Sequence, residues 1–99
     1  MADRNGYNPS LLQTEECCYL CGRTNGKLDR HEIFPGANRE KSKYYGLWVL
    51  LCDYPCHHDI AHRDGNIARS MKEKAQGAAM KEYGWTKADF IRLFGKNYL

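Results

Sequence analysis

The chain has 99 residues and a formal net charge of +3, which predicts one small domain whose surface suits nucleic acid without specifying it. No apolar stretch approaches the length of a bilayer span, and no apolar run follows a basic leader, so neither membrane insertion nor secretion is expected and the chain reads as intracellular and cytoplasmic. A domain this small buries a modest share of its surface, and its five Cys and four His are the residues that add a metal to its core.

In chain order, residues 1–14 read as a loose leader with Tyr7, Leu11 and Leu12 as its anchoring side chains, followed by a single domain over residues 15–99. Residues 17–22 read as a zinc knuckle, a tight turn with Gly22 just past the second ligand. Residues 27–34 predict a strand whose apolar positions are Leu28, Ile33 and Phe34, stopped by Pro35 and Gly36. Residues 37–45 read as a polar loop bearing Arg39, Lys41 and Lys43. Residues 46–52, apolar and bounded by Gly and Pro, give the strongest strand pattern and pair with the first as a hairpin.

Pro55 suits the first turn of a short helix over residues 56–63, because its missing N–H is not needed there. Asp64 and Gly65 end that helix. Residues 67–83 predict a longer helix with Ile67, Met71, Ala75, Ala78 and Ala79 on one face and Gly84 at its C-terminal cap. Thr86 then reads as the N-cap of a last helix, with Asp89 at the third position and Trp85 packing on Phe90. Phe90, Leu93 and Phe94 face the core, and Gly95 ends the helix.

Two cysteine pairs, Cys18-Tyr-Leu-Cys21 and Cys52-Asp-Tyr-Pro-Cys56, stand about thirty residues apart. Two turns that each present two thiolates build one tetrahedral Zn²⁺ site. The odd cysteine count and the absence of an export signal favour a metal over disulfides. Cys17 stands as an alternative to Cys18, and His57 as an alternative to Cys56. The remaining histidines adjoin this cluster. His58 and His62 are spaced i, i+4 and share a face of a helix, while His31 lies on the partner strand. Two helix ligands opposite a strand ligand make a three-ligand site for a second metal, open to water and substrate.

At these segments the chain resembles the HNH, or ββα-metal, nucleases. The matching stretches are Cys18-Tyr-Leu-Cys21, His31-Glu-Ile-Phe-Pro35 and Leu51-Cys-Asp-Tyr-Pro-Cys-His-His58, so the likeness covers about residues 17–63. The tail over residues 66–99 looks like that of small phage-encoded HNH-like proteins. The resemblance implies an α+β fold: a small zinc-clamped ββα-metal core with additional C-terminal helices. It also implies a metal-dependent endonuclease that hydrolyses phosphodiester bonds in DNA. His31, His58 and His62 would ligate a second divalent ion (Mg²⁺, Mn²⁺, Ni²⁺ or Zn²⁺), and Glu32 would stand at the general-base position. Arg30, Arg39, Lys41 and Lys43 are the expected phosphate contacts. Three positions depart from the family pattern: Glu32 replaces a histidine, the asparagine before the second strand is absent, and the second cysteine pair holds one extra residue. The rival expectation is a noncatalytic zinc module that binds nucleic acid or a protein partner. A third has the cysteines and histidines serving one structural zinc.

Overall fold

The computed structural model describes residues 4–99, apart from the side chains of Pro55, His58, Asp59 and His62. Two strands, β1 (Leu28–Glu32) and β2 (Trp48–Cys52), pair antiparallel with Leu28 opposite Cys52 and Glu32 opposite Trp48. Alternation along the strands divides the sheet. Asp29, His31, Val49 and Leu51 face one side, and Arg30, Glu32, Trp48 and Leu50 face the other. Val49 and Leu51 are fully buried and anchor the core.

The connection between the strands is shorter in loop and richer in helix than its polar sequence suggests. A 3₁₀ turn (Gly36–Asn38) leads into helix α1 (Arg39–Tyr44). Ser42 is fully buried there, its hydroxyl accepting from Phe34 N–H at 3.1 Å and donating to Phe34 C=O at 2.8 Å. That double bond folds the segment back onto the end of β1 and satisfies a hydroxyl that would otherwise be costly to bury. The expected loop over residues 37–45 is therefore largely helical.

After β2 the chain kinks at Tyr54, which is extended (φ −146°, ψ 136°), and turns into a π-type helical run, Asp53–Ile60. Helix α2 (Ala61–Arg63) continues it. Asp64 then caps α3 (Gly65–Tyr83), its carboxylate accepting from the N–H groups of Asn66 and Ile67. The helix thus begins two residues before Ile67, and the Asp64-Gly65 step is a helix start as well as a stop. Gly84 ends α3 in the left-handed conformation, as expected.

Helix α4 (Lys87–Phe94) opens with the capping box read from Thr86 and Asp89. Trp85, expected against Phe90, sets its ring 4.9 Å from those of Tyr45 and Tyr83. Phe90 and Phe94 are buried and, with Tyr98, surround Phe34 at centroid distances of 5.0 to 5.5 Å. The last carbonyls of α4, which lack helical partners, are taken by the inter-strand connection. Asn38 donates to Phe94 C=O, and Lys41 donates to Leu93 C=O.

Within the leader, residues 7–13 are held by hydrogen bonds to the sheet and its neighbours. They lie as a strap along the outer edge of β2. Leu11 N–H bonds Gly46 C=O at 2.9 Å, Ser10 Oγ bonds Trp48 C=O at 2.6 Å, and Gln13 Oε1 accepts from Leu50 N–H at 2.7 Å. These contacts occupy polar groups that an edge strand leaves unpaired.

Candidate metal centre

The turn at residues 18–21, the end of β2 and the first turn after Tyr54 bring four sulfurs together. The Sγ atoms of Cys18, Cys21, Cys52 and Cys56 all lie within 4.8 Å of one another. The Cys21 and Cys52 sulfurs are 3.8 Å apart. A tetrahedron of thiolates with Zn–S bonds of about 2.3 Å has edges of about 3.8 Å. The donor set and spacing therefore fit a zinc ion, and the chain carries a cluster able to hold one.

Cys18, Cys52 and Cys56 are buried, whereas Cys21 is exposed. Burial works to raise the Cys18 thiol, but hydrogen bonds from the backbone of Cys52, Cys21 and Leu20 and from the Cys21 thiol outweigh it and lower its pKa to about 6. Burial, followed by hydrogen bonds with the other three thiols and the Cys18 charge, pushes Cys56 well upward. Cys18 and Cys56 are thus shifted in opposite directions by sulfurs and backbone groups within hydrogen-bond reach.

Of the alternatives left open by spacing, the geometry separates two. Cys56 completes the quartet and Cys17 does not belong to it. The Cys17 sulfur lies 3.9 Å from Gln13 Nε2, whose amide also donates to Cys17 C=O at 2.7 Å. His57 turns to Asp29, with Nδ1 3.0 Å from Oδ2. Burial acts to raise the Asp29 carboxyl, but hydrogen bonds with His57 and Asp53 and the Lys27 ammonium hold it below the usual carboxylate value.

His31 is buried on the same face of β1 as Asp29, and its ring stands 5.5 Å from that of His57 at 71°. It also borders a cavity of about 200 Å³ shared with Ala61, Ala68 and Lys72. His58 and His62 both belong to the helical run that follows β2. Their side chains lie outside the described residues, and with them the expected three-histidine site. Among the described residues the cysteine quartet is the one group of three or more close metal-ligand side chains.

A second feature was not read from the sequence. Beside β1 runs a groove of about 690 Å³ whose lining includes Tyr7, Lys27, Arg30, Arg39, Lys43 and His57. Three of the four expected phosphate contacts thus share one concavity, joined by Lys27. Lys41 is drawn away to α4.

Glu32 sits beside these cations and is held. Arg39 Nε donates to its Oε1 at 2.6 Å, and the Tyr7 hydroxyl donates to its Oε2 at 2.9 Å. Burial, then the hydrogen bond to Glu32 and its charge, raise the Tyr7 phenol, which keeps it protonated as a donor. Tyr7 also carries cations on its ring. Arg30 lies 4.4 Å and Lys43 4.9 Å from its centroid, with Arg30 also 5.2 Å from Trp48.

No family model, curated protein or solved structure matches the chain. Among the described residues no helix is long and apolar enough to cross a membrane.

Proposed function

We propose that the protein is a metal-dependent endonuclease that hydrolyses phosphodiester bonds in DNA on an HNH-like ββα scaffold. The observation that carries this reading is one convergence. His31 and the Asp29–His57 pair stand on the inner face of β1, a cation-lined groove runs beside that strand, and the cysteine cluster lies at the end of β2. The two paired strands followed by a helical run match the ββα order the resemblance implies, with α1 inserted in the connection between the strands.

In this reading the cysteines hold a structural zinc that fixes the knuckle to the hairpin. Lys27, Arg30, Arg39 and Lys43 bind and orient the phosphate backbone. His31, with His58 and His62, would hold a second divalent ion, whose chemistry is to stabilise charge on the phosphate and the leaving oxygen. Glu32 is the proton acceptor for the attacking water in this reading, which requires the water to be reached around the edge of β1, because Glu32 and His31 alternate to opposite faces. A plasmid-nicking assay with Mg²⁺, Mn²⁺ or Ni²⁺ tests the proposal. Cleavage that disappears in His62→Ala while zinc content persists supports it. Wild-type protein that binds DNA yet nicks with none of these ions overturns it.

One observation favours a second reading, a noncatalytic zinc module that binds nucleic acid or a protein partner. Both carboxylate oxygens of Glu32 are already engaged, by Arg39 and Tyr7. A base must reach the proton of the attacking water, and neither oxygen is turned free toward one while these two donors hold it. If Glu32→Gln cleaves as fast as wild type, Glu32 is not the base. If Glu32 is the base, the substitution slows cleavage by about two to four orders of magnitude.

A further inference from the structure

The groove beside β1 contains its own competitor for an anion. Arg39, which lines it, is bonded to Glu32 at 2.6 Å. Glu32 is in turn bonded to Tyr7, and Tyr7 carries Arg30 and Lys43 against its ring. Three groove cations are therefore tied to one two-residue hub, either through the Glu32 carboxylate or through the Tyr7 ring. The Tyr7 half of the hub belongs to the strap, and the Glu32 half to β1. Tyr7 packs edge-on against Trp48 at 5.3 Å, and Trp48 Nε1 donates to Asn8 C=O at 2.7 Å.

We propose that this groove is a binding site for a phosphate oxyanion, gated from within by Glu32: an entering phosphate takes Arg39 from Glu32, which stays bonded to the Tyr7 hydroxyl. This goes beyond assigning phosphate contacts, and it rests on the nucleic-acid reading only for the source of the phosphate. The physical basis is competition. A guanidinium forms paired, charge-assisted bonds with either a carboxylate or a phosphate. The Arg39 side chain is 61% exposed, so it can turn toward solvent without breaking the core. Glu32, at 13% side-chain exposure, stays where the sheet holds it. The exchange then leaves Glu32 without its cation only when a phosphate is present, the condition in which a proton acceptor is useful.

The experiment measures equilibrium binding to zinc-loaded protein at low salt, without added divalent ion. A fluorescein-labelled 12-mer duplex is one probe and inorganic phosphate the other. Zinc content and the circular dichroism of each variant establish that it is folded. Glu32→Gln removes the competitor, and affinity for the duplex is expected to rise about two- to fivefold, the scale of an exposed ion pair. Arg39→Gln weakens binding. In the Arg39→Gln background the gain from Glu32→Gln shrinks, because the competition has lost its object. Tyr7→Phe leaves the Glu32 carboxylate a stronger competitor for Arg39, so affinity falls slightly and does not rise.

Affinity unchanged or lowered in Glu32→Gln overturns the gate. So does a gain of the same size with and without Arg39, which marks a general charge effect. The outcome for the nucleic-acid reading is separate. If inorganic phosphate shows the Arg39-dependent gain while the duplex does not bind, the gate stands and the DNA substrate falls. If the duplex shows the gain and no ion supports cleavage, the gate stands and the enzyme reading falls.

Discussion

Gly46 is where the strap and the sheet come closest, and replacing it with Ala tests how firmly the N-terminal segment is built into the fold. Gly46 is buried with φ of +74°, and a Cβ placed there would stand 2.3 Å from the Pro9 carbonyl oxygen. Ordinary contact begins near 3.4 Å, so the strap must retreat by roughly 1 Å. An L-residue in this backbone conformation costs about 1–2 kcal/mol. The retreat also loosens the Leu11 bond to Gly46 and the neighbouring Ser10 bond to Trp48, each worth about 0.5–1.5 kcal/mol. Gly46→Ala should therefore destabilise the zinc-loaded protein by about 3 kcal/mol. Gly77 is the control. It lies inside α3 with no positive φ and nothing within 4 Å of its added Cβ. There Ala should stabilise by about 0.5–1 kcal/mol, through helix propensity alone. Urea unfolding followed by circular dichroism at fixed zinc measures both. Opposite signs are expected; a Gly46→Ala loss below about 1 kcal/mol would mean the strap is not held as described.

Zinc-loaded protein should contain one zinc per chain, and Cys56→Ala should lose it while His57→Ala keeps it, as read by elemental analysis. Chelation should unfold the domain, because zinc contributes about 10 kcal/mol or more to such small folds, comparable with their whole stability. For DNA binding, Lys43→Ala should reduce the slope of log affinity against log salt by about 1. Lys41→Ala should leave that slope unchanged, since its ammonium is spent on Leu93 C=O. Hydrogen bonds from the Thr86 backbone and side chain, and the nearby Arg92, hold the Asp89 carboxyl below its usual value. Its native pKa is thus lower than its unfolded value of about 3.9, so its stabilising effect is complete above that pH and fades as pH falls through the native value. Asp89→Asn should flatten the loss of stability in acid, measured by thermal melts from pH 5 to pH 2.

The cysteine quartet, the hairpin and both glycine-capped helices were legible because their signals are local: ligand spacing, an apolar run between turn residues, and a capping box. The α1 segment was not. Its residues Arg39, Glu40, Lys41 and Lys43 are good helix formers, but they carry no apolar stripe, and the side chain that docks the helix is Ser42, a residue type rarely buried without a dedicated partner. Gln76 escaped notice for the same reason. It sits on the buried face of α3 because Asn97 Oδ1 and Tyr98 N–H engage both ends of its amide, a match made across about twenty residues. The candidate site shows the same division. The cluster could be read from spacing, whereas the groove depends on the strap bringing Tyr7 to Glu32, and no periodicity announces that. The histidine pair at His58 and His62 remains an expectation from its i, i+4 spacing and the resemblance, since both side chains lie outside the described residues.

The uneven burial of the four sulfurs has a chemical consequence. Cys18, Cys52 and Cys56 are each 1% exposed, whereas Cys21 faces solvent. A metal ion in this cluster has one approachable side, and traffic to it runs past a single sulfur. A chelator that removes the ion by stepwise ligand replacement must begin at Cys21, because the other three bonds are shielded by the core. An alkylating reagent meets the same sulfur first, since access as well as thiolate character governs cysteine reactivity. The lifetime of an ion bound here would therefore be set at the outer knuckle turn, by how readily Cys21 let go of it.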